Sequence, residues 1–172
     1  MLTQIKPDRY KAALVDLDGT LARSGLNITP TVADAIGKLA TRILVGIVSS
    51  RDYEIVGRVA NKLGLTGLQI SEGGARIFDP KNNQTHWLRC LKPDDARRIL
   101  QFLEKYALPY TAVQKINQVN VCDIRDVTCW QITRVTATSL TESQARDIAE
   151  NFNKDEVHAV IILRIDNGDW MV

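Results

Sequence analysis

The sequence predicts an α/β fold, with a parallel sheet in the first half of the chain and a smaller α+β layer in the second. Three observations predict it. Short apolar runs alternate with amphipathic helical stretches in the first half, and a turn-rich cluster at 79–83 interrupts that rhythm. Beyond it, helices are followed by segments in which β-branched and polar residues alternate. Regular strand–helix alternation is typical of parallel sheets with right-handed crossovers, and alternating segments are typical of antiparallel strands.

The first half contains three predicted strands, which are apolar runs that end in polar residues: 12–15, 43–48 and 68–70. The first run is apolar throughout, which favours burial on both faces of a sheet. A helix at about 31–41 follows Thr29, which can cap it, and Pro30 stands in the first helical position, which suits proline. A second helix carries an aliphatic stripe and ends at Gly64, because glycine is common after the last helical turn.

The turn cluster at 79–83 predicts a boundary between two domains, 1–78 and 79–172. The second domain is predicted to contain two helices, one from Pro93 and one from Thr141 to about Phe152, and strands at about 116–124, 129–136 and 158–165. Asn167-Gly168 then predicts a hairpin turn. Because strands usually run about 5–6 residues, the short stretch after this turn leaves the last hairpin incomplete. We therefore expect the chain to be a fragment of a longer one.

Composition and charge narrow the class of protein. Lys and Arg number 22 and Asp and Glu number 20, and the net charge of +2 argues against nucleic acid or an anionic membrane surface as a partner. The sequence has no apolar run of the ~18 residues that a membrane span needs, and no signal-peptide core at its start, which predicts a cytoplasmic protein. The 3 cysteines form no close CxxC pair, which argues against a disulfide framework.

The segment Asp16-Leu17-Asp18-Gly19-Thr20-Leu21 places two carboxylates directly after the first predicted strand. Ligands of open parallel sheets bind beyond the carboxyl ends of the strands. Such a carboxylate pair either binds a hard cation or divides the roles of nucleophile and acid/base. Gly19 allows a tight turn that exposes backbone N–H groups, and Thr20 adds a hydroxyl donor. The second strand ends in three further donors that suit a phosphate: Ser49, Ser50 and Arg51.

An acidic pair after a strand is also common as a plain turn with a helix cap. The complete segment, together with the Ser-Ser-Arg cluster after the next strand, favours a crevice for phosphate and magnesium. In that crevice Asp16 and Asp18 are the candidate metal ligands, since Mg²⁺ is usually bound through one or two carboxylates together with substrate phosphates.

These residues resemble the motifs of the haloacid dehalogenase superfamily of aspartate-nucleophile phosphatases. Asp16–Leu21 matches the first motif, DxDGT(L/V), in full. Ser49 matches the Ser/Thr of the second, with Ser50-Arg51 in place of the commoner Gly-Arg. Glu72-Gly73-Gly74 looks like the Glu-Asn-Gly-Gly loop of the subclass whose α+β cap is inserted after the third core strand. That subclass includes Cof-type sugar phosphatases, sucrose-phosphate phosphatase, phosphomannomutase and an archaeal phosphoglycolate phosphatase.

The resemblance implies a Rossmann-like core, here partial, with an inserted α+β cap, and a phosphatase acting on small phosphorylated metabolites such as sugar phosphates. Asp16 would attack phosphorus and become an aspartyl phosphate. Asp18 would protonate the leaving oxygen and then activate the water that hydrolyses the intermediate. Magnesium would be held by the Asp16 carboxylate and the Asp18 backbone carbonyl, while Thr20 and Ser49 would bind phosphoryl oxygens.

Two motifs of the family come after the cap: a lysine that neutralises the phosphate, and an acidic pair that completes the metal site. Asp166-Asn167-Gly168-Asp169 superficially resembles that pair, but its place and its Asn-Gly turn favour the last hairpin of the cap. We therefore expect little phosphatase activity from the 172 residues alone. Without later strands beside it, the strand at 12–15 is expected to form an exposed edge that allows self-association.

Two alternatives stay open beside the phosphatase. The first is a truncated relative without catalysis that acts as a binding or interaction module, which the abrupt end of the chain favours. The second is a phosphomannomutase-like phosphotransferase, which would need a bisphosphate activator. The intact set of Asp16, Asp18, Thr20 and Ser49 favours the phosphatase.

Overall fold

The computed structural model describes residues 10–23, 26–115 and 120–153, together with the pairs 163–164 and 170–171. The chain divides between Arg89 and Cys90 into two compact units. Each unit has a hydrophobic core of its own, and each is described here by itself.

In the part of the first unit that the structure describes there are five strands and two α-helices: β1 (Ala12–Asp16), α1 (Pro30–Ala40), β2 (Leu44–Val48), α2 (Tyr53–Lys62), β3 (Gln69–Ser71), β4 (Arg76–Phe78) and β5 (Thr85–Leu88). The strands form one sheet in the order β1-β2-β3-β4-β5. β1, β2 and β3 are parallel, whereas β4 and β5 are antiparallel to their neighbours. The predicted α/β fold, a parallel sheet with crossover helices, is confirmed.

The start of α1 and the end of α2 carry the local sequence signals that predicted them. Thr29 caps α1, since its Oγ1 accepts the backbone N–H of Val32 at 3.4 Å, and Pro30 takes the first helical position. Gly64 follows α2 with a positive φ of 66°, a conformation that costs glycine little.

The two faces of the parallel strands differ in burial. Val45 and Ile47 are buried on one face and join side chains of α1 and α2 in a single core. Leu14 and Leu44 on the other face are 58% and 62% exposed. The prediction that the strand at 12–15 is buried on both faces is therefore wrong. Consecutive right-handed crossovers put both helices on the same face, and β1 lies at the expected edge of the sheet.

The turn cluster at 79–83 lies inside the first unit and connects β4 to β5. The N–H of Asp79 donates to the carbonyl of Gln84 at 2.9 Å across this turn. β4 pairs with β3 and β5 with β4, so the sheet continues beyond the cluster. The compact units divide between Arg89 and Cys90 rather than at the turn. The cluster at 79–83 forms a hairpin instead, since turn-forming residues occur in hairpins as well as at domain boundaries.

The described residues of the second unit form two helices and five strands: α3 (Pro93–Lys105), β6 (Tyr110–Gln114), β7 (Asn120–Val121), β8 (Ile132–Ala137), α4 (Glu142–Asn153), β9 (Leu163–Arg164) and β10 (Trp170–Met171). β7, β6 and β8 form an antiparallel sheet with β6 in the centre. Side chains of α3 and α4 pack with residues of this sheet in the second core.

Sequence reasoning missed β6 and placed a strand at about 116–124 instead. Within that range the structure has β7 and the first residue of a 3₁₀ turn at Ile124–Asp126, while 116–119 lie outside the described residues. The cause is that β6 has buried residues on both faces. Four of its five residues are buried, so it lacks the apolar–polar alternation by which a half-exposed strand is found.

The signals around α4 behave as predicted. Thr141 and Gln144 form a reciprocal capping box, with N–H to side-chain oxygen distances of 2.8 and 3.3 Å. β9 and β10 pair antiparallel, whereas the predicted Asn167-Gly168 turn between them and the segment 158–162 lie outside the described residues. None of the helices that the structure describes is long and apolar enough to cross a membrane.

Candidate active site

The carboxyl ends of β1 and β2 bring the two predicted motifs side by side. Asp16, the last residue of β1, is level with Val48, the last residue of β2. The segments that follow the two strands therefore leave the sheet next to each other. Asp18 and Arg51, which are 33 residues apart in the sequence, are in direct contact there.

The segment after β1 is a tight turn anchored by its apolar residues. Leu17 and Leu21 are buried in the first core, while Asp16 and the three residues 18–20 are exposed. The N–H of Leu21 donates to the Asp16 carbonyl at 3.3 Å, and the N–H of Gly19 donates to the Ala22 carbonyl at 2.7 Å. Gly19 adopts a φ of 80°, which L-residues rarely do. The alternation of apolar anchors and polar residues turns the polar side chains outward.

Asp16 presents an exposed carboxylate at the end of β1. The hydroxyl of Thr20, which is also exposed, donates to its Oδ2 at 3.4 Å. This distance is at the long end for a hydrogen bond, so Thr20 orients the carboxylate weakly, and its single O–H can turn from Asp16 to another acceptor oxygen. The pair supplies one nucleophilic or metal-binding oxygen group and one hydroxyl donor at the same point of the sheet.

Asp18 forms a forked ion pair with Arg51. Nε of Arg51 lies 2.9 Å from Oδ2 and 3.2 Å from Oδ1 of Asp18, and Nη2 lies 2.8 Å from Oδ1. This bond raises the pKa of the Arg51 guanidinium above its ordinary value. Sequence reasoning assigned Arg51 to phosphate, but in the structure its guanidinium is bound to the neighbouring carboxylate. The contact could not be read from the sequence because it depends on the register of β1 against β2.

The loop from Ser49 to Arg51 is fixed through its backbone. Ser49 is only 4% exposed, and its Oγ accepts the N–H of Arg51 at 3.1 Å. The N–H of Glu72 donates to the Arg51 carbonyl at 2.9 Å, and the N–H of Gly73 donates to the Ser49 carbonyl at 3.2 Å. Ser50 lies exposed between the two residues. The segment after β3 thus holds the segment after β2 in place.

The Glu-Gly-Gly turn after β3 is built from left-handed backbone. Glu72, Gly73 and Gly74 have φ values of 55°, 65° and 97°. Glutamate is unusual in this conformation, and its buried carboxylate lies 3.5 Å from Nη1 of Arg76. The guanidinium of Arg76 in turn lies 4.0 Å from the ring centroid of Tyr53. These contacts hold the Glu-Gly-Gly turn, whose backbone N–H groups in turn hold the Ser49–Arg51 loop.

Ser71, the last residue of β3, is a polar residue at this end of the sheet that sequence reasoning did not single out. Val48 pairs with Ile70, so Ser71 at the end of β3 lies level with Ser49, which follows β2. Its Oγ is buried, and no residue that the structure describes hydrogen-bonds to it. A serine directly after an apolar strand, as at Ser49, is the signal that could have found it.

The carboxylate and carbonyl oxygens at this end of the sheet are ligands of the type that Mg²⁺ binds. The Asp16 carboxylate is exposed and accepts one long hydrogen bond, so its oxygens are accessible to a hard cation. The Asp18 carboxylate is engaged by Arg51, which agrees with a role for its backbone carbonyl rather than its side chain. Within 10–23, 26–115 and 120–153, no group of three or more His, Cys, Asp or Glu side chains could hold a metal.

Comparisons with known proteins identify the family. A family model described as haloacid dehalogenase-like hydrolase matches residues 13–170. A haloacid dehalogenase-like hydrolase from B. subtilis has the same fold, with a TM-score of 0.73 and 15% identity over 94% of this chain and 72% of its own. One from Bacteroides thetaiotaomicron gives a TM-score of 0.70 and 14% identity over 94% and 70%. A comparison with curated proteins gave no match.

A sugar phosphatase of haloacid dehalogenase subclass IIB is also similar, with a TM-score of 0.64 and 15% identity over 94% of this chain and 69% of its own. At such identities these structures show a shared fold, whereas the family model spans most of the sequence. The chain belongs to the haloacid dehalogenase-like hydrolase family, and its fold is that of the family's Cof-type members.

Proposed function

We propose that the chain is a magnesium-dependent phosphatase of small phosphorylated metabolites such as sugar phosphates, and that Asp16 carries the phosphoryl group as an aspartyl phosphate. One observation carries the proposal. The exposed Asp16 carboxylate stands at the carboxyl end of β1, with the Thr20 hydroxyl on its Oδ2 and the Ser49–Arg51 loop at the end of the adjacent strand. The fold of a sugar phosphatase of subclass IIB supports the choice of substrate class.

The reaction uses the two aspartates in turn. A carboxylate oxygen of Asp16 attacks phosphorus while the bond to the leaving oxygen breaks, and protonated Asp18 gives that oxygen its proton. The Asp18 carboxylate then takes a proton from water, the resulting hydroxide attacks the aspartyl phosphate, and inorganic phosphate leaves as Asp16 is regenerated. The second step returns both carboxyl groups to their starting states.

Hydroxyl and guanidinium donors would neutralise the charge of the transferring group. The hydroxyls of Thr20, Ser49 and Ser50 and the guanidinium of Arg51 are the candidate partners of its oxygens. Donors that are already in position cost no rearrangement during the reaction, which is the main contribution that a protein makes to phosphoryl transfer. The backbone bonds from the Glu72–Gly74 turn to the Ser49–Arg51 loop hold the backbone of Ser49 and Arg51 in place. The Arg51 guanidinium is bound to Asp18 and has to turn before its Nε–Nη2 edge can meet the phosphoryl oxygens.

Magnesium would be held by the Asp16 carboxylate and the Asp18 backbone carbonyl, and when bound it supplies positive charge to the phosphoryl oxygens. The described residues bring no third acidic ligand to these two aspartates. We therefore expect weak metal binding and slow turnover. The same observation, together with the engagement of Asp18 by Arg51, favours the non-catalytic binding module as the second candidate.

A panel of sugar phosphates and phosphorylated hydroxy acids, assayed for phosphate release with Mg²⁺, tests the proposal. The matched variants are Asp16→Asn and Asp34→Asn, since Asp34 is an exposed aspartate of α1 that pairs with Lys38. We expect slow release that Asp16→Asn abolishes and Asp34→Asn preserves. Release that survives Asp16→Asn contradicts the proposed nucleophile. Phosphate binding without any release favours the binding module.

A further inference from the structure

The Arg51–Asp18 ion pair occupies two groups that the proposed reaction needs for other partners. Nε and Nη2 of Arg51 are both bound to the Asp18 carboxylate. A guanidinium binds phosphate oxygens through the same planar fork of N–H groups. While the Nε–Nη2 edge is on Asp18, Arg51 can offer a phosphoryl group only the outer N–H groups of Nη1 and Nη2, so Asp18 and phosphate compete for the Nε–Nη2 edge. Nor is the Asp18 carboxylate free to meet a leaving oxygen while the fork covers both of its oxygens.

Side-chain rotation alone can resolve the conflict. The backbone on both sides of the pair is fixed, by the Ser49 and Glu72 bonds around Arg51 and by the tight turn around Asp18. The side chains of Arg51 and Asp18 are 37% and 44% exposed. Ion pairs at such exposure contribute little to stability because water competes for both partners. An incoming dianion can therefore displace a single carboxylate from the guanidinium.

We infer that Asp18 and the phosphoryl group compete for Arg51. In the free protein the guanidinium covers Asp18, and phosphate binding moves Arg51 onto the phosphoryl oxygens and releases the Asp18 carboxylate, which takes up a proton from solvent before it gives that proton to the leaving oxygen. This inference rests on the proposed function, because it takes the phosphate to bind beside these two residues. It makes Arg51 a positioning residue for Asp18 as well as a phosphate ligand.

A double-mutant cycle on phosphate affinity tests this competition without relying on turnover. The affinity of inorganic phosphate is measured by calorimetry, in magnesium-free buffer with a chelator, for the wild type, Asp18→Asn, Arg51→Gln and the double variant. Arg125→Gln is the matched control, since Arg125 also forks onto an aspartate, Asp123, in the second unit. Thermal melts confirm that each variant is folded.

Competition predicts coupling between the two substitutions. Asp18→Asn should tighten phosphate binding about fivefold, the factor for an ion pair at the upper end of the exposed range. In the Arg51→Gln background the gain should fall below about twofold, since only the general repulsion between carboxylate and phosphate is then removed. Arg51→Gln alone should weaken binding, and Arg125→Gln should leave it at the wild-type value.

Results that contradict the competition can be told apart from results that contradict the phosphate site itself. Equal factors for Asp18→Asn in both backgrounds show that Arg51 does not couple the two ligands, and they overturn the inference alone. The same holds if Asp18→Asn leaves phosphate affinity unchanged or weakens it. If none of the four proteins binds phosphate, the phosphate crevice itself is absent and the proposed function fails as well. Binding by Asp18→Asn where the wild type shows none supports the competition.

Discussion

The side-chain oxygen of Gln69 accepts the backbone N–H of Ile47 at 2.7 Å, inside the sheet of the first unit. The amide nitrogen of Gln69 donates to the Gly67 carbonyl at 2.6 Å. β2 and β3 pair directly at Val48 and Ile70, so the glutamine satisfies backbone groups that the short strand β3 leaves without a ladder partner. A fully buried polar side chain thus holds β2 and β3 together, and these strands are followed by the Ser49–Arg51 loop and the Glu72–Gly74 turn.

Replacing Gln69 by methionine should destabilise the protein, because it keeps the shape of the side chain but removes both hydrogen bonds. Each buried group left without a partner costs about 1–3 kcal/mol. Gln101→Met, on the exposed side of α3, is the control and should change stability little. Urea unfolding monitored by circular dichroism measures the difference, expected as a lower midpoint with unchanged slope. A Gln69→Met midpoint equal to the control contradicts this role.

Gly46 in β2 allows a close approach that no other residue permits. A Cβ at this position would lie 2.6 Å from the Leu68 carbonyl oxygen and 2.9 Å from Cδ2 of Leu14. Gly46→Ala should therefore force β2 and the segment before β3 apart and cost about 1–3 kcal/mol. Gly37→Ala in α1 meets nothing within 4 Å and should stabilise the helix by about 0.5–1 kcal/mol. Thermal melts that shift in the same direction for both variants contradict this account.

The exposed edge strand predicts self-association. Leu14 and Leu44 lie on the uncovered face of β1 and β2, and the outer side of β1 has no strand partner among the described residues. Unpaired backbone groups beside exposed apolar side chains favour pairing with another chain. We expect a weight-average mass that rises with concentration in sedimentation or light-scattering experiments, and a monomer for Leu14→Glu. Gln101→Glu adds the same charge elsewhere and should associate as the wild type does. A concentration-independent monomer contradicts the prediction.

Magnesium and phosphate should bind cooperatively. Few protein ligands are available to the metal, so phosphate oxygens would complete its coordination. Each ligand should then tighten the binding of the other by the same factor, at least about fivefold. Calorimetric titration of each ligand with and without the other measures this factor, and Asp16→Asn should reduce it toward one while Asp34→Asn leaves it intact. Independent binding of the two ligands would show that they do not share a site.

The sequence predicted those parts of the site that depend on local chemistry. The turn after β1 forms because buried Leu17 and Leu21 alternate with polar residues and because Gly19 can adopt positive φ, and both signals lie within six residues. The helix caps at Thr29 and Thr141 are equally local. These features were found because the residues that determine them are neighbours in the chain.

The features that the sequence did not predict depend on long-range pairing. The contact of Arg51 with Asp18 follows from the register of β1 against β2, which motif spacing does not give. The exposure of Leu14 follows from which face the helices cover, whereas an apolar run indicates burial without naming the neighbour. β6 was missed because four of its five residues are buried, so it lacks the alternation that marks a half-exposed strand.

Covalent trapping tests the role of Asp16 most directly. The protein is incubated with Mg²⁺ and acetyl phosphate or p-nitrophenyl phosphate, quenched in acid, and mapped by peptide mass spectrometry. We predict a phosphoryl group on the peptide that contains Asp16, present in Asp34→Asn and absent from Asp16→Asn. Hydroxylamine should release it as inorganic phosphate, because the linkage is an acyl phosphate. A phosphoryl group on another residue, an equal adduct in Asp16→Asn, or no adduct in the wild type would contradict Asp16 as the nucleophile.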